Sequence, residues 1–272
     1  MFSNISLPKL ASSVPVQLQF NTTNNITSSA GSEEDNIKLR RIVLMSDTHQ
    51  FYARHIEHLE KALEGSNKEE RILLHCGDFG FYGKEQPVLN FNQEFLAKIK
   101  HLFSFIIVII GNHSSPLMEA LDFNVEKFKE LYLSNATHLL FDSNVKICGL
   151  TIHGISWKSK KEDSFQFSKF PASQHQALIN KLKMEKYNMI PQDVDIILNH
   201  EPPQDIFDDG SGSAAFRKFL FEKANNLKNL KFVAFGHAHS KYGHENIDLG
   251  EGKVKFINAA LNNTNAPFYF DL

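Results

Sequence analysis

Sulfur is scarce in this chain: its 272 residues include two cysteines, Cys76 and Cys148, far apart and in no Cys-x-x-Cys pair. That excludes a disulfide framework and points to buried thiols in a reducing, cytoplasmic setting. No apolar run approaches the roughly 18 residues of a membrane-spanning helix. The start of the chain has no basic stretch followed by an unbroken apolar one, because Asn4, Pro8, Lys9, Ser12 and Ser13 interrupt it; no secretory leader is expected. An excess of one charge is lacking too. Lys and Arg number 29 against 31 Asp and Glu, so no bulk attraction to nucleic acid or to a membrane is expected.

Residues 1–36 differ from the rest. Asn21-Thr22-Thr23-Asn24-Asn25 is low in complexity, and Glu33-Glu34-Asp35 closes the stretch. It reads as a flexible extension, within which Val14, Val16, Leu18 and Phe20 alternate as in a short strand. Residues 37–272 read as one domain, large enough for a core that needs no staple.

What the chain does have is a set of apolar runs, each ending in polar residues. Strand 42–46 runs into Asp47-Thr48-His49. Strand 71–76 runs into Gly77-Asp78, and strand 105–110 into Gly111-Asn112-His113. Strand 194–198 precedes Asn199-His200, and strand 231–235 precedes Gly236-His237-Ala238-His239. Short apolar runs of this kind are the buried strands of an α/β sheet, and ligands collect where such strands end. Between the first three lie a helix near 52–64, with Ile56, Leu59 and Leu63 on one face, and a helix near 88–101, with Phe91, Phe95 and Ile99. This β-α-β-α-β order forces parallel pairing with right-handed crossovers, so the ends of the first three strands fall on one sheet edge.

Further along, the pattern predicts a helix near 124–132, strands near 144–148 and 150–155, and a long loop from Lys158 to Phe170. A helix over 172–187, a helix near 213–224 and strands near 253–257 and 267–271 follow. More helix in the first half and more strand in the second suggest two packed sheets with helices outside.

The polar residues at the strand ends are Asp, Asn and His, a donor set for borderline-to-hard divalent ions such as Mn, Fe, Zn or Mg. The absence of thiolates argues against structural zinc. Asp47 and His49, two residues apart, can reach one ion. His237 and His239 can each serve a different one, and Asp78, with two carboxylate oxygens, is the natural bridge. Two ions about 3.5–4 Å apart clamp the attacking and leaving oxygens of a displacement at phosphorus.

Other residues have plainer readings. His55, His58, His101, His175 and His244 have no partner at ligand spacing and are read as surface or helix-face residues. His75 and His153 fall inside strands and are read as packed or hydrogen-bonded. Lys158, Lys160 and Lys161 read as a solvated loop. Phe79, Phe81 and Tyr82 read as core packing, the alternative being a wall for a base or aryl group.

The ordered blocks Asp-x-His, Gly-Asp, Gly-Asn-His, His and Gly-His-x-His resemble the calcineurin-like metallophosphoesterase superfamily. His75-Cys76-Gly77-Asp78-Phe79, Ile152-His153-Gly154-Ile155-Ser156-Trp157, His200-Glu201-Pro202-Pro203 and Phe256-Ile257-Asn258-Ala259-Ala260 are similar to its metallophosphoesterase-domain-containing subgroup. The resemblance covers about 40–272. It implies a four-layer α/β/β/α sandwich of two mixed β-sheets and metal-dependent hydrolysis of small phosphodiesters such as cyclic nucleotides. Asp47, His49 and His239 would then hold the first ion. Asn112, His200 and His237 would hold the second, with Asp78 bridging and Mn²⁺ the favoured metal. His113 would face the substrate and protonate the leaving oxygen, and Asn112 would also touch the phosphate.

Two positions depart from the pattern. Ser114 stands where many relatives place an acid, which leaves His113 without that carboxylate. Glu201 replaces a Gly beside His200, which is expected to narrow the pocket or disfavour highly charged monoesters. A phosphomonoesterase, including a protein phosphatase, and a non-catalytic scaffold are the alternatives. The protein phosphatase is weakened by the missing Asp-Arg-Gly after Gly77 and by Ser114 in place of a Glu, the scaffold by the retention of every ligand block.

Overall fold

The computed structural model describes residues 14–20, 39–49, 52–68, 71–157, 171–261 and 265–272. The low-complexity stretch of 21–35 and the Lys158–Phe170 loop with its lysines lie outside the described residues.

The strands build two mixed sheets of six. In the first, β1 (Val16–Gln17), β12 (Phe268–Asp271), β2 (Arg41–Met45), β3 (Arg71–His75), β4 (Phe105–Ile109) and β5 (His138–Leu140) lie side by side in that order. β2 through β5 are parallel, and β12 runs antiparallel to β2. The second sheet is ordered β10 (Gly243–Leu249), β11 (Gly252–Asn258), β9 (Phe232–Phe235), β8 (Ile196–Leu198), β7 (Leu150–Gly154) and β6 (Ser143–Ile147). Its four central strands are parallel, with an antiparallel hairpin at each edge.

Side chains that alternate along each strand divide the core into layers. Ile42, Leu44, Ile72, Leu74, Ile107 and Ile109 of the first sheet pack against Ile152, Ile196, Leu198, Phe232, Ala234 and Ile257 of the second. Val43, Leu73, Ile106 and Val108 point the other way, onto Leu59, Phe91, Phe95 and Phe128 of the outer helices. Ile197, Val233, Phe235 and Phe256 meet Tyr187, Phe216, Phe219 and Leu220 on the far side. The result is the α/β/β/α sandwich.

The helices follow the apolar spacing with shifted ends. The first spans Tyr52–Ala62. The second starts at Glu85, passes through a π-helical segment, Phe91–Leu96, and ends at Ile99. Later ones span Val125–Tyr132, Ala172–Tyr187 and Ala214–Glu222. Among the described residues no helix is long and apolar enough to cross a membrane.

Of the residues read as surface or helix-face, His55 and His58 take the helix face: both are buried on the inner face of the first helix, one turn before Leu59 and Ala62. The strand β10 was not foreseen, because Gly-His-Glu-Asn-Ile-Asp-Leu is largely polar and exposed, as an edge strand is free to be.

His75 is hydrogen-bonded, its Nε2 lying 3.1 Å from the Thr48 hydroxyl and its Nδ1 accepting from Gly77 N. His153 is packed instead: neither ring nitrogen has a hydrogen-bond partner, and burial pushes its pKa down to about 4. The unfolded chain therefore takes up this proton first, near pH 6.5. Stability should fall as pH drops from about 6.5 towards 4, by about 2 kcal/mol at pH 5 from this residue. Denaturant unfolding at pH 7 and pH 5 checks it. His153→Leu should flatten the slope, and an unchanged slope would refute the assignment.

Candidate metal centre

The ends of β2, β3 and β4 lie on one edge of the first sheet, facing the ends of β8 and β9 in the second. Short backbone bonds fix these ends. Ser46 N–H donates to Ala259 O across the two sheets, while the bonds from Asp47 N–H to Gly77 O and from Gly236 N–H to His200 O join neighbouring strand ends within each sheet. Asp47, His49, Asp78 and His237 all have positive φ, between 45° and 66°. For residues with a Cβ this left-handed conformation is sparsely populated and its strain concentrates at functional sites. Two glycines permit the close approach. A Cβ at Gly111 would collide with the Asp78 carboxylate, and one at Gly236 with Ser46 and the Asp47 carboxylate.

Asp47, His49 and His239 bring one donor atom each within 4.8 Å of one another, and so do Asp78, His200 and His237. Asn112 sits within the second group: its Oδ1 is 3.0 Å from both His200 Nε2 and His237 Nδ1. His113 stands at the edge, with Nε2 3.6 Å from Asp78 Oδ2 and its side chain 29% exposed. All eight residues singled out in the sequence therefore lie in one place.

The carboxylates are each half committed. Asp47 Oδ2 accepts the His237 backbone N–H at 3.0 Å, and Asp78 Oδ1 accepts that of His113 at 2.9 Å. The other oxygens face the imidazoles: Asp47 Oδ1 is 3.2 Å from His239 Nε2, and Asp78 Oδ2 is 3.1 Å from His200 Nε2. Asp47 Oδ1 is buried and faces the His239 imidazole, a position open to a cation held between them. Two imidazoles have backbone partners for their outer nitrogens. His49 Nδ1 lies 3.0 Å from Gly80 O and His200 Nδ1 2.7 Å from Cys76 O. Donation to these carbonyls leaves each Nε2 for the interior, the arrangement metal-ligating histidines use. The donor set thus fits divalent ions.

The electrostatics agree. Burial alone would raise the Asp47 carboxyl, but the charges of His200 and His239 outweigh it and hold it well below the usual carboxylate range. Burial pushes His200 down, yet Asp78 and Asp47 overcome this and raise it to about 9. His239 is raised by the adjoining Asp47 carboxylate. His237 is lowered, first by burial and then by the charge on His200. The pocket favours positive charge on the side of its two acids.

Residues 40–241 match the profile of the calcineurin-like phosphoesterases. The chain belongs to that family. Its relatives include a UPF0046 protein of Caenorhabditis elegans, 31% identical over 74% of this chain and 54% of that one. Another is human metallophosphoesterase domain-containing protein 1, 29% identical over 74% of this chain and 64% of that one. The chain thus spans between half and two thirds of the length of these relatives. Phosphopantetheinyl hydrolase from Mycobacterium tuberculosis superposes with a TM-score of 0.48 at 14% identity, covering 83% of this chain and 90% of that one. Two groups of its residues, Asp47-His49-His239 and Asp78-His200-His237, are candidates for holding divalent ions.

Residues outside the ligand blocks shape the site as well. Phe79 is core, buried and stacked on Phe91 at 4.7 Å, whereas Phe81 and Tyr82 are exposed beside the metal groups. Trp157 packs against His200 and His237 with ring centroids 5.6 and 5.1 Å away. The sequence reading did not single it out as a site residue, although it too follows a strand end. Ser114 is fully buried and its hydroxyl has no hydrogen-bond partner, so it offers His113 no substitute for an acid.

Glu201 is paired. Its carboxylate is gripped by Lys183, with Nζ 2.6 and 2.7 Å from the two oxygens. The charge is thereby neutralised by the Ala172–Tyr187 helix instead of standing free beside His200. Lys183→Met and Glu201→Gln should each lower stability by about 1 kcal/mol, since the pair is only partly buried. A double-mutant cycle by denaturant unfolding checks it. Coupling near zero would show that the pair contributes nothing.

Proposed function

We propose that this chain hydrolyses phosphodiesters at a two-metal centre. The observation that carries the reading is the pair of three-residue groups, Asp47-His49-His239 and Asp78-His200-His237, with Asn112 inside the second and His113 at its edge. Asp47, His49 and His239 would hold one divalent ion, Mn²⁺ being favoured, and Asn112, His200 and His237 a second, with Asp78 between them. Bound there, the ions supply Lewis acidity towards phosphate oxygens and a nucleophile at neutral pH.

The chain's own groups do the rest. The backbone bonds to Asp47 and Asp78 fix the two carboxylates before substrate arrives, which limits reorganisation during reaction. His49 and His200, anchored by Gly80 O and Cys76 O, hold their inner nitrogens in place. His113, partly exposed, is placed to stabilise charge on a bound phosphate and to give its proton to the departing oxygen. That role suits an ester with an alkoxide leaving group, which needs a proton to depart. The likeness of His75–Phe79 and Ile152–Trp157 to the metallophosphoesterase-domain-containing subgroup supports a diester as the substrate.

Turnover of bis-p-nitrophenyl phosphate should exceed that of p-nitrophenyl phosphate with Mn²⁺ present, and Asp78→Ala should abolish both. His113→Gln should lower kcat by about 10²–10⁴-fold on a dialkyl or cyclic diester, and much less on p-nitrophenyl esters, whose leaving group departs without a proton. Preference for the monoester would move the reading to a phosphatase. Equal losses on both leaving groups would remove the acid role from His113.

A further inference from the structure

The aromatic side chains around the metal groups are not fully buried. Phe81 is 39% exposed and Tyr82 67%. Phe81 lies parallel to the His49 ring, at 5.6 Å and 9°. Tyr82 meets His113 edge-on at 6.3 Å. Beside the other group, Trp157 covers His200 and His237 and is itself half-buried. Scattered exposed apolar residues need no explanation. Two in succession on the loop that leaves the Asp78 turn, with a half-buried tryptophan beside the second group, set aromatic rings against residues of both groups and His113.

The loops that carry these rings are tied down. Gly83 N–H donates to His113 O and Lys84 N–H to Phe81 O, so the 79–84 loop is anchored to the backbone of His113 itself. Ser156, which precedes Trp157, donates through N–H and hydroxyl to the two Asp142 oxygens at 2.9 and 2.7 Å. Its carbonyl accepts from buried Lys186 at 3.1 Å. Rings held on anchored loops lose little conformational entropy when a ligand stacks on them.

We propose that Phe81, Tyr82 and Trp157 form a recognition wall for a planar aromatic ring carried on the ester group of the substrate. This rests on the phosphoesterase reading and deepens it: the metal groups take the phosphate, and the wall takes the ring. Base–aromatic stacking tolerates any planar ring, so the shared chemistry is a flat aromatic substituent, supplied by a nucleobase or by a simple aryl ester.

Binding tests this without turnover. The protein loaded with Zn²⁺ is titrated calorimetrically with adenosine 5′-phosphate, phenyl phosphate and ribose 5-phosphate. Trp157 is the single tryptophan of the chain, so its fluorescence reports contact at the wall directly. Adenosine 5′-phosphate should bind about tenfold or more tightly than ribose 5-phosphate and quench Trp157. Tyr82→Ala and Phe81→Leu should erase most of that difference and leave ribose 5-phosphate affinity and metal content unchanged. Tight phenyl phosphate binding supports the wall with a simple aryl group as sufficient, and weak phenyl phosphate binding supports it with a nucleobase required. Equal affinity of ribose 5-phosphate and adenosine 5′-phosphate overturns the wall alone. Failure of all three, and of inorganic phosphate, to bind overturns the phosphoesterase reading and the wall together.

Discussion

Two carboxylates are buried where the sheets meet, and most of the site's construction answers to them. Asp47 and Asp78 are both about 1% exposed. Taking a carboxylate out of water costs several kcal/mol even after relaxation, unless charge and hydrogen bonds replace the solvent. Each receives one backbone N–H, and these donors come from the other strand ends: His237 for Asp47, His113 for Asp78. The bond to Asp47 crosses from the second sheet to the first, so the same contact that solvates the acid also registers the sheets. The remaining oxygens face imidazoles and make a concentrated demand for positive charge. A pair of divalent ions, as proposed, would meet that demand more fully than protons on His200 and His239.

The fold serves this by topology. Parallel strands in each sheet deliver their ends to a common edge, and the inter-sheet core of isoleucine, leucine and phenylalanine fixes one edge against the other. Strain is then confined to the turns: four of the candidate ligands have left-handed backbone. Those turns persist because glycines next to them let chains approach where a Cβ would collide. The outer helices also reach inward. Lys183 and Lys186 of one helix hold Glu201 and Ser156, the residues beside His200 and Trp157, so the second metal group is buttressed from behind.

Much of this could be read from the sequence because the relevant signals are local and strong. Apolar runs such as Phe105–Ile110 identify buried strands, and the β-α-β-α-β order alone implies convergence of Asp47, Asp78 and Asn112. What could not be read depends on partners distant in sequence. The polar strand β10 is defined by its hairpin with β11, not by its own pattern. The spacing puts His55 and His58 one turn before Leu59 and Ala62, and the residues that cover this helix face bury them. Glu201 pairs with Lys183, eighteen residues earlier on another element, and no local pattern links the two. Phe79, Phe81 and Tyr82 are alike as residue types, and only tertiary structure separates the core ring from the two exposed ones.

The central claim is that two ions are held by two separable groups of this chain. Counting metal directly tests it: the purified protein is saturated with Mn²⁺, freed of excess, and assayed for metal per chain. The account predicts two ions in the native protein. His49→Ala should lose the ion of the first group and His200→Ala that of the second, each variant remaining folded with one. One ion or none in the native protein, or loss of the same ion in both variants, would contradict it.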